Sequence, residues 1–164
     1  MNDSKRYVRP RVIVTQQPIH PILIANYNAN VERLGIRSNP TALDYLSAPK
    51  QSIDFSKDSV GSLGFMAFVQ SLNEPAILQI THVNLRTNSL DNAAVSELTK
   101  IFSGSNLIEL DLSGNCFGKA SIQNLIRMIL TCKSFKKLIL NQVRGINGEN
   151  IEYIKKKTLV QVEW

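Results

Sequence analysis

The sequence predicts an α/β fold: a short curved parallel sheet on the inside and helices on the outside, wound as a solenoid behind an N-terminal helical cap. Three observations predict it. A strand-like apolar pattern returns after 27 and then 28 residues. The segments between its copies carry helical spacing, and the stretch ahead of the first copy reads as helix without the pattern.

The arm and the cap come first. Residues 1–20 contain Pro10, Pro18, several basic side chains and the apolar run Val12, Ile13, Val14. Without helical spacing, they predict an extended basic arm that either lies along the protein's own surface or adds to a partner as a strand. Residues 21–49 form the predicted cap. Pro21 suits the first turn of a helix and Gly35 its C-terminal end, giving a helix over 21–34. Ser38-Asn39-Pro40 then supplies a capping residue and Pro at the first helical position, starting a short helix through Leu46. Such a cap would hide the apolar edge of the first repeat.

Residues 50–164 read as about five repeats. In LIELDLSGN, Leu107, Leu110, Leu112 and Asn115 set the template; Ile80, Val83, Leu85 and Asn88 repeat it upstream. Downstream, Phe135, Leu138 and Leu140 follow it with Val143 in the Asn place. Weaker copies bracket these: Ile53 and Phe55 with Asp58 in the Asn place, and Leu159, Val162 and Trp164. Helical spacing fills the gaps, through Val60, Leu63, Ala67, Phe68 and Leu72, then Leu90, Ala94, Leu98 and Phe102. Ile122, Leu125, Ile126 and Ile129 make the third such stripe, and Ile151 and Ile154 the fourth.

The pattern LxxLxLxxN, in units of this length, resembles the leucine-rich-repeat family in its ribonuclease-inhibitor-like class. The segment GIRSNPTALDYL ahead of the repeats resembles that of small eukaryotic repeat proteins of cytoskeletal or ciliary type. One strand and one helix cannot bury an apolar face alone, so units stack and share a core. The resemblance implies that Asn88 and Asn115 are structural, turning their amides inward to bond backbone groups. Val143 cannot do this, so its turn is expected to be looser or satisfied by water. Cys116 is expected to pack beside Asn115 as a small apolar thiol.

Composition narrows the class. With 164 residues and 43% apolar content, the chain can bury a core without staples. No run of 18 apolar residues and no apolar leader occurs, which predicts a cytoplasmic protein with no membrane partner. Two cysteines without CxxC spacing predict reduced thiols and no metal site. The net charge of +6 is uneven: residues 1–11 hold four basic side chains against one acidic, 12–115 six against nine, and 116–164 nine against three. Basic ends attract acidic proteins, anionic lipid or nucleic acid, and charge alone does not choose among them.

Catalysis is not expected. The two histidines, His20 and His82, are separated by the whole cap, and no HExxH, GxxxxGK, GxGxxG or GxSxG motif occurs. Asp111 and Ser113 lack a base within reach, and Gly104 and Gly114 belong to turns. No catalytic residue, metal or cofactor is assigned.

Period-two alternation turns the remaining candidates to the concave face: His82, Asn84 and Arg86; Glu109, Asp111 and Ser113; Lys137 and Asn141. Glu109 would lie beside Lys137, and Arg86 would reach toward Asp111. Two readings stay open, a ladder of exposed ion pairs or a docking surface for a protein segment. Arg9 and Arg11 of the arm are further partner-binding candidates. At the C-terminal edge, Trp164 would either anchor a partner or second copy, giving a homo- or hetero-oligomer, or fold back as a lid. Lys155 to Lys157 complement a helix dipole; nucleic acid is the less favoured partner, because no aromatics interleave with the basic residues.

The function predicted is a non-catalytic protein-binding scaffold, or a subunit of a larger cytoskeletal or ciliary assembly. The alternative is a regulatory adaptor of a small GTPase or a ubiquitin ligase, since Ran GTPase-activating proteins share the repeat class that the sequence resembles. A mitochondrial or ribonucleoprotein assembly factor, resting on the basic ends, is third.

Overall fold

A computed structural model describes residues 19–164; residues 1–18 of the expected arm, with Arg9 and Arg11, lie outside the described residues. Helix α1 (Ile19–Leu34) begins two residues before the expected start and ends at Gly35, whose φ is +63°. Helix α2 (Pro40–Ser47) starts where the Asn39-Pro40 pair directs it, the Asn39 side chain accepting a hydrogen bond from the Ala42 N–H at 2.9 Å. That bond satisfies one of the free N–H groups of the first turn. Leu23 and Tyr27 of α1 are buried with Tyr45 and Leu46 of α2, and Tyr27 Oη accepts from the Asn39 N–H at 2.8 Å. Burial pushes the Tyr45 hydroxyl up to about 12, and the hydroxyl donates to the Lys50 carbonyl at 2.8 Å.

Five three-residue strands follow: β1 (Ser52–Asp54), β2 (His82–Asn84), β3 (Glu109–Asp111), β4 (Lys137–Ile139) and β5 (Gln161–Glu163). They form one parallel sheet in chain order, with Ile53, Val83, Leu110, Leu138 and Val162 in a single row across it. Each parallel step needs a crossover, and helices supply it: α3 (Gly61–Val69) with α4 (Glu74–Gln79), then α5 (Asn92–Phe102), α6 (Lys119–Thr131) and α7 (Gly148–Lys157). Every connection returns to the neighbouring strand. The result is a mixed α/β structure with helices behind one face of the sheet.

The core is that shared layer. The row residues Ile53, Val83, Leu110 and Leu138 are buried together with Phe55, Leu85, Leu112 and Leu140 two residues on, against Phe65, Phe68, Leu98, Phe102, Leu125 and Ile154 of the helices. Phe68 packs edge-on to both Tyr45 and Phe55, with ring centroids 5.5 and 5.1 Å away, tying α2 and β1 to α3.

Three departures from the expected pattern have local causes. In α3 the buried residues are Phe65, Ala67, Phe68 and Val69, with Leu72 just beyond the helix; Ala67, Phe68 and Leu72 are buried as expected, while Leu63 is half-exposed and Phe65 and Val69 join the buried face instead. Helix α4 interrupts the first crossover because Asn73 caps it and Pro75 suits its first turn. In β5 the template residues are uncovered: Leu159 is fully exposed and Trp164 is 57% exposed, where their counterparts Leu107 and Leu112 are buried.

The turns after the strands carry most of the buried polar bonding. The Asn88 amide donates to the carbonyls of Phe55 and Arg86 and accepts from the Val60 N–H at 2.9 Å. One unit on, the Asn115 amide donates to the carbonyls of Leu85, Leu112 and Ser113 and accepts from the N–H groups of Asn88 and Leu90. Each amide thus fastens its own turn to the turn before it.

Val143 stands in the third such place, and its turn is closed by backbone. The Phe117 N–H, counterpart of Leu90, donates to the Arg144 carbonyl at 3.0 Å, and the Arg144 N–H donates to the Asn115 carbonyl at 2.9 Å. Close approach makes this feasible. A Cβ on Gly145, at φ +95°, would lie 2.7 Å from the Phe117 oxygen, so only glycine fits. The turn is therefore neither loose nor dependent on water for these bonds, which corrects the expectation.

Candidate functional site

The face of the sheet turned away from the helices carries two rows set by strand register. Ser52, His82, Glu109, Lys137 and Gln161 make the first, and Asp54, Asn84, Asp111, Ile139 and Glu163 the second. His82 is exposed; Asn84, Glu109, Asp111, Lys137 and Asn141 are partly exposed. Five of the eight expected face residues, His82, Asn84, Glu109, Asp111 and Lys137, are thus brought together on β2 to β4, and Arg86 and Asn141 border them at the strand exits.

The pairing within the rows differs from the expected one. Lys137 Nζ meets Glu163 Oε1 at 2.8 Å, diagonally across to β5, although Glu109 is its register partner. The hydrogen bond to Glu163 holds the Lys137 ammonium above its ordinary range against desolvation, with the charges of Glu163, Glu109 and Asp111 adding to it. Arg86 does not pair with Asp111. It is exposed and belongs to none of the ion pairs of the described residues.

The reason is a bonding pattern that the alternation argument did not reveal. Asp111 Oδ1 accepts from the Ser113 N–H at 2.8 Å, Asn84 Oδ1 from the Arg86 N–H at 3.2 Å, and Asp54 Oδ1 from the Ser56 N–H at 2.8 Å. Each is an Asx turn that bends the chain out of its strand. The recurrence of Asp or Asn as the last residue of β1, β2 and β3 was the available signal. One oxygen of Asp111 is committed to the backbone, which leaves the other for a partner.

Ser113 is a correction. Alternation places it on the open face, yet it is 1% exposed, and its Oγ is the one buried side-chain polar atom without a hydrogen-bond partner among the described residues. The Asx turn and the left-handed turn at Gly114, φ +67°, end the alternation there and sink the side chain. Ser113 presents no surface to a partner. Ile139 is also unlike its row: it is 9% exposed between the register partners Asp111 and Glu163, an apolar point among carboxylates. Cys116 is exposed rather than packed beside Asn115, because the bridge to Arg144 draws residue 116 to the surface; Cys132 is the buried thiol, donating to the Phe102 carbonyl.

Trp164 stands between its two readings. Its ring approaches Gly148 at the start of α7 and lines a cleft with Ile151, Glu152, Lys155 and Val162, while more than half of it stays exposed. Among the described residues no cluster of three His, Cys, Asp or Glu side chains is placed to hold a metal ion, and no helix is long and apolar enough to cross a membrane.

The fold and the open face define a mixed α/β protein with a five-stranded parallel sheet and seven helices among the described residues. It is similar to the solved structure titled Leiomodin-1 Actin-Binding Site 2, with a TM-score of 0.58 and 15% identity over 80% of this chain and 71% of that one. No protein-family model matches the chain, and no curated protein does either.

Proposed function

We propose that the chain is a non-catalytic protein-binding scaffold of leucine-rich-repeat type, working in a cytoskeletal assembly through the open face of its sheet. The observation that carries the reading is that face: five strands present a polar surface of mixed charge with no helix of the described residues over it, around Arg86, Glu109, Asp111 and Lys137. Rows of side chains on a rigid sheet can read a partner segment residue by residue, and charged rims set its orientation. The fold likeness to an actin-binding fragment makes actin the first partner to try.

Co-sedimentation with actin filaments and capture of monomeric actin test the proposal. The intact chain is expected to bind one form, and the double variant E109K/D111K to bind at least about tenfold more weakly, a change near 1.4 kcal/mol. Failure to bind either form removes actin as the partner. Binding that survives E109K/D111K and K137E removes the open face as the site.

A further inference from the structure

We propose that the lysine-bearing edge where the chain enters β4 and β5 docks on an anionic lipid surface. It is a different surface from the open face, at the ends of α6 and α7.

Two loops build it side by side. The loop from α6 brings Lys133 and Lys136, the end of α7 brings Lys155, Lys156 and Lys157, and all five are exposed. The Gln161 N–H donates to the Lys136 carbonyl at 2.9 Å, so the two loops are bonded neighbours where they meet the sheet. No acidic residue lies within residues 132–136 or 155–160. Of the five ammonium groups, Lys155 pairs with Glu152 at 3.2 Å and Lys157 lies 5.7 Å over the Tyr153 ring. Lys133, Lys136 and Lys156 take part in none of the ion pairs of the described residues.

Complementing helix dipoles does not account for this density. The last turns of α1 and α5 hold one basic residue each, and that of α6 holds none, whereas α7 holds three. Like charges crowded on one edge repel one another, and an external anionic surface offsets that cost.

The kind of cation selects the partner. Arginine, with its fixed fork, is the residue suited to bidentate recognition of carboxylates and phosphodiesters, and protein interfaces are depleted of lysine. This edge holds lysine alone. Hydrated ammonium groups suit a fluid anionic headgroup layer, where each adds its attraction without fixed geometry. The same edge also offers an apolar tip. Leu159, directly after the lysines and Thr158, is fully exposed, and Leu130 near the end of α6 is 64% exposed. A leucine flanked by lysines is the composition that enters the boundary between headgroups and acyl chains, and contact of this kind needs no spanning helix.

The test is sedimentation of the full chain with vesicles of phosphatidylcholine, with and without about 30% phosphatidylserine. Binding is expected only to the phosphatidylserine vesicles and should weaken as salt rises. K155A/K156A/K157A should bind roughly 100-fold more weakly, at about fivefold per lysine, with only a small drop in thermal midpoint because all three side chains are exposed. L159S should bind more weakly with the same salt dependence. Equal binding to phosphatidylcholine alone, or no binding to phosphatidylserine vesicles at low salt, overturns the proposal. Capture by soluble polyglutamate or RNA without vesicle binding overturns it too, in favour of an acidic protein or a nucleic acid. E109K/D111K should leave vesicle binding intact, so this inference and the open-face reading fail separately.

Discussion

The turn at Asn115 and the turn at Val143 occupy equivalent places in successive units, yet they are held by different chemistry. At Asn115 one side-chain amide makes five hydrogen bonds that reach back into the preceding turn. At Val143 the side chain makes none; the backbone of Arg144 moves in instead, over a glycine with no Cβ to obstruct it. The difference teaches that the architecture requires paired N–H and carbonyl groups between neighbouring turns and leaves open which atoms pair them.

The sharpest way to break the comparison is Asn115→Ala. The amide is 1% exposed, so its removal strands the N–H groups of Asn88 and Leu90 and the Leu85 carbonyl where water does not reach. Each such loss costs about 1–3 kcal/mol, and the whole substitution about 4 kcal/mol in urea unfolding. A cost below that of an ordinary surface change would mean that the turn relaxes into the backbone-closed form seen at Val143.

Gly145→Ala attacks the other turn and should cost about 2 kcal/mol, through the contact with the Phe117 oxygen and the left-handed backbone together. The same assay measures it. If the variant is as stable as the parent, the approach of Gly145 is not what closes the turn.

The contrast also marks what the sequence could reveal. The five strands were legible because each needs an inward apolar residue at its centre; Val83, Leu110 and Leu138, with apolar partners three before and two after, announce this on their own. The roles of Asn88 and Asn115 were legible through the resemblance that the LxxLxLxxN pattern carries, which implied inward-turned amides; both residues are buried. Helix α4 escaped notice because six residues are too few to show a period. On the open face, alternation identified the row positions of β2 to β4 but not their pairing. Whether Lys137 meets Glu109 or Glu163 depends on strand twist and side-chain reach, and the burial of Ser113 depends on a turn geometry set by Asp111 and Gly114 together. Neither follows from residue spacing.

Val143→Asn gives the smallest expected effect and the most informative one. It places in the third turn the side chain that holds the other two. If stacking alone dictated the bonds, the substitution would stabilise. The structure argues the opposite sign, because the Phe117 N–H that an amide oxygen at this position would accept from is already donated to Arg144. The Val143 side chain is 6% exposed, so a new amide there would be buried without its partners and would cost about 1–2 kcal/mol. Combining the substitution with Gly145→Ala separates the two possibilities. Should the introduced amide recapture the Phe117 N–H, the backbone of Arg144 and Gly145 no longer needs to approach, and the alanine would cost less on that background than on the parent. Additive costs would instead show that the backbone closure persists with an asparagine present, and that Gly145 fixes the form of this turn.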